Sequence, residues 1–171
     1  MATRPVIGVI GSGRALSPEQ FQLAYEVGKL IAQRGAALVC GGLGGVMEAA
    51  AKGAHESEGF VIGILPGADK TDANPYVVLA VPTGLGMGRN ALVVRTADVL
   101  IAFPGSFGTL SEMAMALDSE KSVVFLPGAW DLRKAGSIEG ARCARFLEAF
   151  DAKQAVGLAL GELGKKSKSN D

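Results

Sequence analysis

The chain has 171 residues, of which 49% are hydrophobic, and its 17 Lys and Arg residues balance 17 Asp and Glu residues to a formal net charge of +0 at pH 7. This balance excludes a strongly basic surface for a nucleic-acid backbone or an anionic membrane, and the hydrophobic content excludes a largely disordered chain. We therefore expect a folded protein with no nucleic-acid and no membrane partner.

Cysteine use and the chain ends favour an ordinary cytoplasmic protein. Cys40 and Cys143 lie far apart in the sequence, so we expect reduced, buried thiols and no metal site. No segment has the apolar length of a signal peptide or a membrane span. Residues 1–163 are predicted to form one domain, and the polar residues 164–171 to form a disordered tail.

Strand-like and helix-like segments alternate along the chain. Predicted strands, which are short apolar runs, are Val6–Ile10, Ala37–Cys40, Phe60–Leu65, Tyr76–Val81, Val99–Phe103 and Val123–Leu126. Predicted helices follow Ser17 and Gly108 and span Val46–Ser57, Arg89–Thr96 and Ala141–Phe150. This alternation predicts an α/β, single-domain, doubly wound Rossmann-like fold, with a mainly parallel sheet of about six to seven strands and helices on both faces.

Three glycine-rich loops follow the first, second and fifth predicted strands. In such a sheet ligands bind at the carboxyl ends of the strands, where backbone N–H groups and helix N-termini suit a phosphate. One such loop is equally well explained as a tight turn, whereas three together favour a ligand site. The candidate ligand-binding residues in these loops are Gly11, Ser12, Gly13, Arg14, Gly41, Gly42, Leu43, Gly44, Gly45, Val46, Met47, Pro104, Gly105, Ser106, Phe107, Gly108 and Thr109. No glycine loop has the pattern of a dinucleotide fold or of a P-loop, which disfavours both classes.

Two segments, CGGLGGVMEAAAKGA (residues 40–54) and PGSFGTLSE (residues 104–112), together resemble one known superfamily. It was historically mislabelled as lysine decarboxylases, and it contains the LONELY GUY (LOG) cytokinin-activating phosphoribohydrolases and the molybdenum cofactor carrier proteins. The family pattern PGGxGTxxE matches from Pro104 to Glu112, except that Ser106 replaces the second glycine.

A second departure from the phosphoribohydrolases lies before the short predicted helix. They carry Met-His-x-Arg-Lys there, whereas this chain has Arg89 followed by Asn90. The Gly-Arg-Asn segment resembles instead the molybdenum cofactor carrier-like branch of nucleotide-binding proteins. That branch implies a ligand such as an AMP-like nucleotide or the molybdenum cofactor, held at the loops with Arg89 and Asn90 beside it. Ser106 mildly favours this branch, because its side chain narrows the space beside the loop.

The phosphoribohydrolase branch is the alternative implied by the resemblance. Such an enzyme cleaves a nucleoside 5'-monophosphate to a base and ribose 5-phosphate and needs no cofactor. Glu112 would stabilise the oxocarbenium-like ribose and activate the water, and Arg89 would hold Glu112 and the substrate. The family also implies a homodimer or a higher homo-oligomer. A non-catalytic structural or interaction protein is the third and weakest alternative, because a protein without a ligand would not need three glycine loops at one edge of the sheet.

Purely structural explanations of the two charged residues also stay open. Thr109 and Glu112 fit the T-x-x-E capping box, so Glu112 can serve to satisfy backbone donors at a helix start. Arg89 can be a solvated charge or a structural partner of Glu112. Only the three-dimensional placement of both side chains separates these explanations from a ligand site.

Overall fold

The computed structural model describes residues 4–134 and 145–168 of the chain. Within these residues the strands are β1 (Val6–Ile10), β2 (Ala37–Cys40), β3 (Val61–Leu65), β4 (Leu79–Pro82), β5 (Val99–Ala102), β6 (Val123–Phe125) and β7 (Phe146–Glu148). They form a 7-stranded sheet in the order β4-β3-β2-β1-β5-β6-β7, and every neighbouring pair is parallel. The predicted Rossmann-like α/β fold is therefore confirmed.

Helices cover both faces of the sheet. They are α1 (Pro18–Gln33), α2 (Val46–His55), α3 (Asn90–Thr96), α4 (Phe107–Asp118) and α5 (Ala152–Lys168). One buried cluster joins the sheet to α1, α2 and α5, and a second joins its other face to α3 and α4. Successive residues of β1 enter different clusters, with Val9 in the first and Ile10 in the second. The apolar runs of the sequence thus follow from burial of the strands on both faces.

Differences from the predicted elements lie near the end of the chain. The predicted helix Ala141–Phe150 is wrong in its described part, because residues 146–148 form β7 beside β6. Phe146 stacks on Phe125 with ring centroids 4.5 Å apart, and this contact across strands outweighs the local helical pattern. A strand of 3 residues is too short to show its own periodicity.

Helix α5 is absent from the prediction. The N–H of Gln154 donates to Asp151 Oδ1 at 2.8 Å, which starts the helix, and its glycines hide the apolar pattern. The helix runs to Lys168 and therefore includes residues 164–168 of the expected tail, whereas residues 169–171 lie outside the described chain. No helix in the described ranges combines the length and hydropathy needed to cross a membrane.

A smaller difference concerns β4, which begins at Leu79 rather than at Tyr76. Asn74 accounts for it, because its Oδ1 accepts the N–H of Tyr76 at 3.2 Å and its backbone carbonyl accepts that of Val77 at 3.2 Å. This turn occupies residues that the apolar pattern assigns to a strand. Cys40 is a buried free thiol, as predicted, and Cys143 lies outside the described residues.

Close packing of α1 on α2 depends on two glycines. A Cβ at Gly53 would press on the backbone carbonyl of Tyr25, and one at Gly28 on the carbonyl of Ala50. Backbone atoms cannot move aside as the end of a side chain can. The distance between the two helices, and with it the position of the loop before α2, therefore requires glycine at both places.

We expect Gly53→Ala to destabilise the protein by about 1–3 kcal/mol, because the added methyl overpacks a contact made with backbone. Gly157→Ala in α5 is the matched control, since a Cβ there meets nothing within 4 Å. The control should stabilise the helix by about 0.5–1 kcal/mol. Chemical denaturation measures both, and equal stabilities of the two variants would contradict the proposed tight contact.

Candidate functional site

The three glycine loops meet at the carboxyl edge of the sheet, as the strand order requires. The N–H of Ser12, after β1, donates to the carbonyl of Pro104, after β5, at 3.0 Å. The carbonyl of Ser12 accepts the N–H of Val46, at the start of α2, at 2.9 Å. These hydrogen bonds join the loops directly, so residues about 90 positions apart in the sequence form one surface.

Two cavities open at this surface. The smaller, of about 130 Å³, is lined by Val9, Ile10, Gly11, Gly13, Gly41, Met47, Met87, Arg89, Asn90, Ser106, Gly108, Thr109 and Glu112. The larger, of about 340 Å³, is lined by Ser12, Arg14, Ala15, Leu16, Gln20, Val46, Phe103, Pro104, Gly105 and Ser106. Ser106 borders both cavities. Most of the residues predicted for a ligand site thus line one cavity or the other.

Five of the predicted residues border neither cavity, namely Gly42, Leu43, Gly44, Gly45 and Phe107. Gly42 and Gly45 have φ values of +74° and +64°, which favour glycine whatever lies nearby. A Cβ at Gly42 would also lie 2.6 Å from Leu65 Cδ2, and one at Gly45 would press on the carbonyl of Ser12. These glycines therefore shape the loops and let them pack, and the sequence could not separate that role from ligand contact.

The Arg89 side chain lies over the end of β2. It is only 8% exposed, and a Cβ at Gly41 would press on its guanidinium group. The absence of a side chain at Gly41 thus creates the space for a buried cation. The explanation of Arg89 as a solvated surface charge is wrong.

Arg89 is incompletely paired in its buried position. Its Nη1 lies 3.8 Å from Glu112 Oε1, which is an ion pair but too long for a hydrogen bond. Its Nε is buried and, among the described residues, has no hydrogen-bond partner. Burial lowers the pKa of Arg89, and the Glu112 carboxylate opposes that change. The group keeps its charge, so donor capacity stays unused at the cavity wall.

Glu112 faces the same cavity from the second turn of α4. The residue is only 6% exposed, and burial raises the pKa of its carboxyl to about 7, while Arg89 acts in the opposite direction. The capping-box explanation is wrong, because α4 begins at Phe107 with Ser106 as its N-cap, so Thr109 is already inside the helix. The Leu110 N–H accordingly donates to the carbonyl of Ser106 at 3.0 Å.

Ser106 occupies the place of the family glycine without backbone strain. Its φ is −93° and its ψ is −162°, an extended conformation that any residue adopts. Its side chain makes no cap hydrogen bond with the chain over residues 4–134 and 145–168. The Ser106 hydroxyl therefore does not cap α4, and the N–H groups of the first helical turn have no partner within the helix, beside the point where the two cavities meet.

Asn90 has a bracing position between α3 and α4. Its Nδ2 donates to Ser111 Oγ at 3.3 Å and lies 3.4 Å from the carbonyl oxygen of Gly108. Ser111 Oγ also donates to that carbonyl at 2.7 Å. The amide thus connects the start of α3, directly after Arg89, to the beginning of α4.

Several residues at or near the site were not predicted as part of it. Among those that line one of the two cavities are Val9, Ile10, Ala15, Leu16, Gln20 and Phe103. Met87, Trp130 and Cys40 are three more. Met87 lines the smaller cavity, and its Cε would lie 3.0 Å from a Cβ at Gly108. Trp130 Nε1 donates to the carbonyl of Gly105 at 3.1 Å. Cys40 lies beneath the loop, and burial raises the pKa of its thiol to about 11. The sequence signal for Met87 was its place in the Gly-Met-Gly-Arg segment, whereas Trp130 shows no motif.

Comparison with known proteins identifies the family. A profile described as the SLOG cluster4 family matches residues 4–168. The chain belongs to the SLOG cluster4 family. In the part of this SLOG cluster4 protein that the structure describes, no three His, Cys, Asp or Glu side chains are grouped to hold a metal ion.

Two solved structures and one curated enzyme are similar to this SLOG cluster4 protein. The molybdenum cofactor binding protein of Rippkaea orientalis has a TM-score of 0.84 and 36% identity, with 95% of this chain and 99% of that chain covered. The molybdenum cofactor carrier protein of Chlamydomonas reinhardtii has a TM-score of 0.84 and 34% identity, with the same coverage of 95% and 99%. The cytokinin riboside 5'-monophosphate phosphoribohydrolase LOG of Oryza sativa subsp. japonica is 34% identical over 110 residues, which are 60% of this chain and 44% of the rice protein. The resemblance to the LOG-like Rossmann proteins and their molybdenum cofactor carrier branch is thus confirmed.

The pKa of Glu112 makes stability depend on pH. The ordinary value is 4.5 and the folded value about 7, so the folded state holds an extra proton between these pH values. Stability therefore falls as pH rises through that window, by at most about 1.4 kcal/mol per pH unit. Above pH 7 the full cost of the buried carboxylate is present, and below pH 4.5 it is absent.

We expect Glu112→Gln to remove this dependence. The free energy of unfolding of Glu112→Gln, relative to that of the wild type, should rise progressively from pH 4.5 to pH 7 and then stay constant. Urea denaturation at a series of pH values measures the difference. Glu26→Gln is the control, since the Glu26 side chain on α1 is 36% exposed, and it should leave the wild-type profile unchanged. Parallel profiles of the wild type and Glu112→Gln would contradict the raised pKa.

Proposed function

We propose that the protein binds a nucleotide or another phosphate-bearing small molecule at the carboxyl edge of the sheet, and that it acts as a carrier. The molybdenum cofactor is the first candidate ligand. Support comes from the Rippkaea orientalis and Chlamydomonas reinhardtii proteins, which are described as a binding protein and a carrier protein for that cofactor. A cytoplasmic location and a homodimer belong to the same proposal, and neither nucleic acid nor a membrane is included as a partner.

The single observation that carries the proposal is the buried guanidinium of Arg89. Arg89 lines the smaller cavity, its buried Nε has no hydrogen-bond partner in residues 4–134 and 145–168, and Glu112 is too distant to accept a hydrogen bond. An incompletely paired buried cation is unfavourable, and a phosphate oxygen in the cavity would relieve this. The rigid fork of arginine donors suits phosphate particularly well.

The first turn of α4 supports the same assignment. Gly108 and Thr109 line the smaller cavity, and the positive end of the helix dipole favours an anion there. The helix has 12 residues, which is long enough for that effect. Together, Arg89 and the start of α4 would hold a phosphate from two sides.

The residues also fit the larger part of such a ligand. The 340 Å³ cavity adjoins the smaller one at Ser106 and falls within the usual range for small-molecule sites, about 300–1,000 Å³. Ser12, Arg14 and Gln20 supply polar side chains along it. When bound, the molybdenum cofactor would supply its phosphate as the anion that these residues hold, and in a carrier no bond of the ligand is broken.

Glu112 supports a second candidate function, that of a phosphoribohydrolase. Its carboxyl faces the cavity beside Arg89, and the rice enzyme that shares part of the chain has this activity in its name. In that reaction water would add to the anomeric carbon of a nucleoside 5'-monophosphate, and the base would leave with the electron pair of the broken bond and take up a proton from solvent. The Glu112 carboxylate would take the water proton and stabilise the cationic ribose.

We expect Arg89→Lys to weaken binding of the molybdenum cofactor or of AMP by about ten- to a hundredfold, because it keeps the charge but loses the forked donors. Calorimetric titration of purified protein measures the change. Arg95→Lys is the matched control, since Arg95 lies exposed at the end of α3, and it should bind like the wild type. Equal affinities of all three proteins would refute the role of Arg89.

A carrier should bind these ligands without releasing a free base. Chromatography after incubation with a set of nucleoside 5'-monophosphates tests this, with Glu112→Gln in parallel. Release of base by the wild type that is lost in Glu112→Gln would refute the carrier function and support the phosphoribohydrolase function. In that case kcat/KM should rise as pH increases through about 7, because the carboxylate must be ionised to accept a proton.

A further inference from the structure

Two aromatic side chains stand exposed beside the proposed ligand site. Phe107 is the first residue of α4 and is 80% exposed, and Trp130 lies in the loop after β6 and is 40% exposed. Their rings are stacked, with centroids 6.5 Å apart and an angle of 24° between the planes. Both belong to the carboxyl edge of the sheet, although neither lines the two cavities. We refer to them as the aromatic pair.

The aromatic pair is fixed to the loop that precedes α4. Trp130 Nε1 donates to the carbonyl of Gly105 at 3.1 Å, which fixes the indole against that loop. The turn before Trp130 packs on the same loop, because a Cβ at Gly128 would lie 3.3 Å from Pro104 Cγ. The stacked rings are thus held in a defined position relative to the start of α4, unlike a single apolar side chain on a surface.

The aromatic pair lies next to the position proposed for the phosphate. Phe107 follows Ser106, which borders both cavities, and its backbone begins the helix turn that would hold the phosphate. A phosphate at the start of α4 would therefore lie beside the backbone of Phe107, and the Phe107 side chain, 80% exposed, is open to a flat ring of the same ligand. Stacking of a heterocyclic ring on an aromatic side chain strengthens binding by about ten- to a hundredfold.

We propose that the aromatic pair is a stacking platform for the heteroaromatic ring of the ligand, either a purine or a pterin. This inference rests on the proposed function, because it requires a phosphate at the start of α4. It adds that the flat nitrogen heterocycle of the ligand lies on the aromatic pair, and that Phe107 distinguishes such a ligand from a sugar phosphate without a heterocycle.

The experiment compares AMP, the molybdenum cofactor and ribose 5-phosphate as probes of purified full-length protein. The two probes with a heterocycle, the ring-bearing probes, distinguish a purine from a pterin, and ribose 5-phosphate lacks an aromatic ring. Calorimetry should give at least one ring-bearing probe an affinity about ten- to a hundredfold above that of ribose 5-phosphate. Phe107→Leu should remove most of that advantage and leave binding of ribose 5-phosphate unchanged.

Two further variants separate stacking from a general change of structure. Phe107→Tyr retains the ring and should retain the advantage of the ring-bearing probe. Phe60→Leu makes the same substitution at a partly exposed phenylalanine before β3, at the opposite edge of the sheet, and should bind like the wild type. Circular dichroism verifies that the exposed position of Phe107 tolerates each change.

Trp130 supplies an independent fluorescence signal, because it is the single tryptophan of the chain. A ring that stacks on the aromatic pair should change its fluorescence more than ribose 5-phosphate does. The change should be reduced in Phe107→Leu and preserved in Phe60→Leu.

Three results would overturn the inference. Binding of a ring-bearing probe that Phe107→Leu leaves unchanged would refute the platform alone and leave the proposed function intact. The same unchanged affinity with an altered oligomeric state would assign Phe107 to a subunit interface instead. No binding of any of the three probes would refute the proposed function and this inference with it.

Discussion

Arg89 brings a positive charge to the edge of the sheet, where one carboxylate lies 3.8 Å away and water has little access. The rest of the site depends on this burial. Gly41 must lack a side chain to leave room for the guanidinium, and Asn90 braces the neighbouring turn of α4. Glu112 is held near the cation in a poorly solvated position, which gives it a pKa of about 7. One buried cation thus determines both the space and the electrostatics at the glycine loops.

In both proposed functions, that of a carrier and that of a phosphoribohydrolase, Arg89 would hold a phosphate. They differ in whether Glu112 faces a bond that can break. Here the carboxyl has a nearly neutral pKa, Asn90 replaces the lysine of the phosphoribohydrolases, and Ser106 adds a hydroxyl at the junction of the cavities. The pKa of Glu112 suits a proton acceptor, as the second candidate function requires, whereas Asn90 and Ser106 accord with the proposed carrier. The aromatic pair beside them accords with the proposed ligand with a flat ring.

Sequence reasoning was most accurate where local pattern and tertiary structure agree. Ser17, Pro18 and Gln20 form the capping box that starts α1, and the apolar runs at β1, β2 and β5 are buried on both faces. It was wrong for β7, whose pairing with β6 decides its conformation, and it missed α5 because glycines interrupt the helical pattern. The T-x-x-E motif wrongly suggested a capping box with Thr109 as the N-cap, because α4 starts two residues before Thr109.

The sequence by itself determined the parallel α/β fold, the edge that carries the glycine loops and the superfamily, because alternating apolar runs and two ordered motifs are local properties of the chain. Only the tertiary structure decided which glycines border a cavity, that Arg89 is buried over Gly41, and that Phe107 stacks on Trp130. These facts depend on distances between residues far apart in the sequence. Burial and electrostatics act through space, so no pattern along the chain records them.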